Sequence, residues 1–119
     1  MLTKIRTIGI EKKIPEDILR VARRIRRWVM KEGWGKSEGL CGDASAYLCR
    51  DIPGSDFFEG TVFGESHCWV EIKNTVLDVT ADQFNGIEKW PWKDISSPAR
   101  FRSIVWVPWY RVRGIYVPI

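Results

Sequence analysis

The hydrophobic pattern changes period part-way along the chain, and this change limits the possible folds more than any other feature. Ile18, Val21, Ala22, Ile25, Trp28 and Val29 recur at three- and four-residue spacing, which gathers them on one stripe of an α-helix. Ile14-Pro15-Glu16-Asp17 supplies a helix start, with a proline near the first position and two acids in the first turn, and Gly33 supplies the stop. From residue 66 the spacing becomes two. Residues 66–72 and 75–80 then read as strands joined around Lys73-Asn74 in a tight hairpin.

Between these regimes, residues 33–40 form a glycine-rich loop, and residues 41–50 read as a second helix whose buried side holds Ala44 and Leu48, with Tyr47 beside them. Residues 51–64 read as a surface excursion with a short strand at 60–63, because Pro53, Gly54 and Gly60 interrupt them. Residues 81–88 read as a short turn or helix, and Trp90-Pro91-Trp92 as irregular chain. Residues 104–107 and 111–117 read as a second hairpin around Pro108-Trp109. Helices followed by strands give an α+β fold, with N-terminal helices packed on an antiparallel sheet. At 119 residues, the expectation is one domain over 1–119.

No apolar run approaches the ~20 residues that cross a bilayer, and the charged N-terminus lacks a leader's apolar core, so a cytoplasmic location is expected. The formal charge of +4 is uneven: residues 1–50 carry twelve Lys or Arg against six acids. Arg20, Arg23, Arg24, Arg26, Arg27 and Lys31 fall largely outside the apolar stripe of the first helix. That face reads as solvated, or as a surface for an acidic protein partner. Nucleic acid is not expected, because no base-reading motif accompanies it.

Three cysteines, Cys41, Cys49 and Cys68, make no disulfide framework. Cys41 follows the glycine loop and opens the second helix, where unpaired backbone N–H groups and the helix dipole favour a thiolate. The same N–H groups suit an oxyanion. Position alone leaves a small, buried structural cysteine equally open. His67 is the only histidine, so a base titrating near neutral pH has to be this residue. Alternation places His67, Trp69 and Glu71 on one strand face, and Asp78 with Thr80 on the neighbouring one. A two-residue turn then sets Asp78 across from Trp69 and diagonal to His67. A carboxylate there can fix the imidazole tautomer and support its positive charge. No close ligand pair such as Cys-x-x-Cys is present, so neither a metal nor a cofactor is expected.

The segments Gly39-Leu40-Cys41-Gly42-Asp43-Ala44-Ser45, His67-Cys68-Trp69-Val70-Glu71 and Leu77-Asp78-Val79-Thr80-Ala81-Asp82-Gln83-Phe84 together resemble the transglutaminase-like branch of the papain-like cysteine enzymes. The resemblance covers 39–84. It implies Cys41 as nucleophile, His67 as general base and then acid, and Asp78 as the orienting carboxylate, with a peptide or protein as substrate. Trp69 would wall the cleft, and Glu71 and Gln83 would support it. Papain-like peptidases place a Gln shortly before the nucleophile, and none precedes Cys41 here. The second oxyanion donor is therefore sought among Trp34, Ser37, a loop amide and Gln83. Peptidase, glutamine deamidase and transglutaminase-type acyl transferase all remain open, beside a non-catalytic binding module using the basic helix.

Overall fold

A computed structural model describes residues 14–35, 39–84 and 104–119. Helix α1 spans Glu16–Glu32 and α2 spans Cys41–Asp51. Strands β1 (Ser55–Val62), β2 (Glu65–Ile72) and β3 (Thr75–Asp78) follow, then a 3-10 turn at Ala81–Phe84. Strand β4 (Val105–Pro108), the single-turn helix α3 (Trp109–Val112) and β5 (Tyr116–Pro118) complete the described chain. The five strands form one antiparallel sheet in the order β4-β3-β2-β1-β5. The fold is α+β, as the change of period predicts.

Helix α1 buries Leu19, Ala22, Ile25 and Val29. With Ala44 and Leu48 of α2, the last three of these pack on Val70, Ile72, Leu77 and Trp106 of the sheet. Trp28 meets Tyr47 edge-on at 4.8 Å between ring centroids, fixing α1 against α2. Two cations of the basic face also serve this packing. Arg26 donates to the Val79 carbonyl at 2.8 Å, and Arg24 pairs with Asp51 at the end of α2. Asp51 also accepts from Arg50, which helps hold its carboxyl down at about 2. The solvated-face reading therefore holds for only part of the helix. Among the described residues, no helix is long and apolar enough to cross a membrane.

The opposite sheet face carries a second core of Val62, Trp69, Val76, Val105, Val107 and Tyr116, joined by Val112, Ala81 and Phe84. These residues come from all five strands, which requires the sheet to curl around them. Tyr116 on β5 hydrogen-bonds Asp78 on β3 at 2.7 Å, although a flat sheet would separate those strands by about 14 Å.

Lys73 and Asn74 have φ of 49° and 64°, the left-handed pair of a type I′ turn, and Ile72 faces Thr75 across it. The expected hairpin is present. Two other expectations are corrected. Residues 51–64 are not an excursion, because Ser55–Val62 pairs with β2 along its whole length. Residues 104–107 and 111–117 are not a hairpin either. Strands β4 and β5 occupy opposite edges of the sheet, and α3 lies between them in the chain. Ser37, Trp90 and Trp92, with the far end of the 81–88 turn, lie outside the described residues.

Gly60 explains how β5 approaches so closely. A Cβ there would lie 2.1 Å from the Val117 carbonyl oxygen, 2.8 Å from Pro118 Cα and 2.9 Å from the Trp69 ring. Neither backbone atom can move without opening the β1–β5 pairing. Gly60→Ala is expected to cost about 1–3 kcal/mol, read as a lowered urea midpoint. An unchanged midpoint would show that β5 does not seat as described.

Candidate active site

Cys41 is the first residue of α2, and Leu40 before it offers no side-chain cap. The first intrahelical bond runs from Ala44 N–H to the Leu40 carbonyl at 2.9 Å. The N–H groups ahead of it have no carbonyl one turn back to receive them. Among the described residues, a Cβ at Gly42 would meet nothing within 4 Å. Cys41 itself is half-buried, whereas His67 and Asp78 are 2% and 1% exposed. Of the three, the thiol is the group a substrate can reach.

The β2–β3 register puts Asp78 diagonal to His67, and the contact follows from it. His67 Nε2 and Asp78 Oδ2 are 2.8 Å apart. Burial alone would push the Asp78 carboxyl up, yet the charge and hydrogen bond of His67 outweigh it, aided by Thr80 and Tyr116, and leave the carboxyl below its ordinary value. An ionised carboxylate only accepts, so Nε2 carries a proton and donates it. Nδ1 is buried and has no hydrogen bond of ordinary geometry.

The Cys41 thiol interacts with the same ring. With Nε2 committed to Asp78, Nδ1 is the nitrogen left for the sulfur. The two groups are coupled electrostatically rather than through a hydrogen bond of ordinary geometry. The effect is directional. His67 lowers the Cys41 pKa against the opposing effect of burial. Burial opposes charge on His67 too, but Asp78 and then Cys41 overcome it and raise the imidazolium to about 10. Both shifts favour a thiolate beside an imidazolium.

Asp78 is anchored by more than the histidine. Its Oδ1 accepts from the Thr80 N–H at 2.9 Å and the Thr80 hydroxyl at 3.1 Å. Its Oδ2 accepts from the Tyr116 hydroxyl at 2.7 Å as well as from His67. Tyr116 is fully buried, and burial together with the Asp78 charge holds its hydroxyl protonated, so it remains a donor. Tyr116 is thus a positioning residue that the sequence reading missed. Its only sequence signal was an aromatic residue in an expected strand. Phe84 packs edge-on against the imidazole, 4.9 Å between centroids, and closes another side.

The remaining candidates separate. Trp69 is 0% exposed, stacked on Phe58 and edge-on to Tyr116. Its indole N–H donates to Glu71 Oε2 at 3.2 Å. Trp69 is therefore core behind His67, neither a cleft wall nor a free oxyanion donor, because the curled sheet encloses the face that alternation assigned to it. Glu71 supports that indole rather than the thiol. Trp34 is 94% exposed in the turn after α1 and does not pack on Cys41. Gln83 sits on the turn that delivers Phe84, with its Oε1 buried and unpaired.

No protein-family model, curated protein or solved structure matches the chain. The site's chemistry must therefore be read from its own residues. Among the described residues, no three His, Cys, Asp or Glu side chains converge as metal ligands. A cavity of about 500 Å³ between Ile18, Ile52, Lys73 and Trp106 lies at the far end of α2. That places it about 16 Å along the helix axis from Cys41.

Proposed function

We propose that the chain is a cysteine-dependent amide-bond hydrolase, a peptidase or glutamine deamidase, working through Cys41, His67 and Asp78. The observation that carries this reading is the hydrogen bond from His67 Nε2 to the buried Asp78, with the other side of the ring turned to a half-exposed thiol. The resemblance to transglutaminase-like cysteine enzymes supports the same three roles.

In this scheme the Cys41 thiolate attacks an amide carbonyl, and the oxyanion is met by N–H groups at the start of α2. The tetrahedral intermediate collapses to a thioester as the imidazolium gives its proton to the leaving amine. Water, deprotonated by His67, then releases the acid. An amine in place of water would give acyl transfer with the same residues. Asp78 keeps the imidazole in the tautomer that returns the proton on the Cys41 side.

Selective alkylation tests the first requirement. At pH 7 iodoacetamide is expected to modify Cys41 well ahead of Cys68, whose thiol is pushed up to about 11 by burial and by the neighbouring Cys41. Reactivity at Cys41 should persist below the ordinary thiol range, because its pKa is lowered. Equal labelling of Cys41, Cys49 and Cys68 would remove the reading. Peptide cleavage and ammonia release from glutamine side chains, assayed in parallel, then separate peptidase from deamidase.

A further inference from the structure

Cys68 has no part in the scheme above, yet the fold brings it to the nucleophile. Cys41, Ala44 and Leu48 follow one another at helical spacing on the side of α2 that faces the sheet. Cys68, Val70 and Ile72 follow at strand spacing on the β2 face that meets them. Ala44 and Leu48 pack in one core with Val70 and Ile72. The two rows therefore run side by side, and each begins with a thiol. The two thiols influence each other's ionisation: the Cys68 backbone N–H favours the Cys41 thiolate, and a charged Cys41 opposes charge on Cys68. Both thiols are free and partly exposed. Cys49 lies eight positions along α2, about 12 Å from Cys41 along the axis, and cannot substitute for Cys68.

We propose that Cys41 and Cys68 form a peroxide-responsive disulfide that switches the nucleophile off and shields it from irreversible oxidation. The proposal rests on Cys41 being the reactive thiol but not on which amide it attacks.

The Cys41 thiolate attacks one oxygen of hydrogen peroxide, the O–O bond breaks, and hydroxide leaves. The sulfur is oxidised by two electrons to a sulfenic acid, and the peroxide is reduced. Cys68 then gives up its proton and attacks the Cys41 sulfur. The S–O bond breaks, and the departing oxygen takes a proton to leave as water. In sum, two thiols and one peroxide give one disulfide and two waters.

The environment sets the order of events. Burial and the negative charge of Cys41 keep Cys68 a thiol while Cys41 is a thiolate. Oxidation to a neutral sulfenic acid removes that charge, so Cys68 becomes easier to deprotonate when it is needed. A dithiol reductant reverses the bond.

The test exposes the full chain to an excess of about ten equivalents of hydrogen peroxide, since sulfinic acid consumes two per thiol, then maps peptides by mass spectrometry without reduction. A Cys41–Cys68 cross-link is expected, with iodoacetamide labelling of Cys41 lost and then fully restored by dithiothreitol. In Cys68→Ala, Cys41 is expected to proceed to sulfinic acid, with recovery after dithiothreitol at least tenfold lower. Cys49→Ala should behave as the wild type. Sulfinic acid forming equally in wild type and Cys68→Ala, or a Cys41–Cys49 bond, overturns the switch. Failure of selective Cys41 alkylation before any peroxide is added would instead overturn the functional reading beneath it.

Discussion

Cys41→Ala is expected to lower amide turnover by about a thousand-fold or more while leaving the urea midpoint close to that of the wild type. The substitution removes one sulfur from a half-buried position at a helix start. It breaks no hydrogen bond of the Asp78 cluster, so the stability cost should stay below about 1 kcal/mol. What it removes is the atom proposed to form the thioester, and neither His67 nor the helix N–H groups can supply another. The measurement is single-turnover acyl release under saturating substrate, beside an unfolding curve. Residual activity above one-tenth of the wild type, with the fold intact, would eliminate covalent catalysis by Cys41.

Asp78→Asn is expected to be nearly as damaging to turnover, for a reason legible in the bonding. Four donors converge on this carboxylate: Thr80 N–H, the Thr80 hydroxyl, His67 Nε2–H and the Tyr116 hydroxyl. An amide has one oxygen and one NH₂ group, so one pair of donors must face another donor. The Thr80 N–H cannot rotate, which holds the oxygen on that side and turns the NH₂ toward His67 and Tyr116. The imidazole must then offer Nε2 as acceptor and carry its proton on Nδ1, facing the thiol it should deprotonate. A loss of about ten-thousand-fold in turnover is expected, with a smaller change in substrate binding. A rate within tenfold of wild type would remove Asp78 from its role. Asp78→Ala strands all four donors and should destabilise by about 3–5 kcal/mol, which separates folding from tautomer control.

The same pair sets a pH window for stability. Asp78 has a folded pKa below its unfolded value near 3.8, so its contribution is present above that value and is lost as pH falls through the folded one. His67 is raised from 6.5 to about 10. Its contribution is complete below 6.5 and disappears as pH climbs through 10. Stability from the pair is therefore greatest between roughly pH 4 and 6.5, and Asp78→Asn should flatten that profile.

What the chain discloses about itself divides by distance along it. The diagonal of His67 and Asp78 follows from period two and a two-residue turn, both local properties, and it is present. Strand β1 was hidden because Pro53, Gly54 and Gly60 are ordinary loop signals. Phe57 is exposed while Phe58 is half-buried, so the segment shows no clean alternation. Gly60 is there because another backbone presses against it, a fact no local pattern carries. Alternation puts Trp69 on the face it occupies, but which face the sheet closes over depends on β4 and β5 curling toward each other. Tyr116 reaches Asp78 only through that closure.

Closure also orders events in time. Strand β5 joins the sheet only through β1, with Gly60 beside Pro118 and Val62 beside Tyr116, a pairing between segments far apart in sequence and correspondingly slow to form. During synthesis α1 and α2 leave the ribosome first, carrying Cys41, while the strand that steadies the Asp78 carboxylate has yet to be made. Cys41 is therefore made well before its environment is complete. An incompletely folded chain would present an ordinary thiol, and the proposed activity would be absent until the sheet has closed.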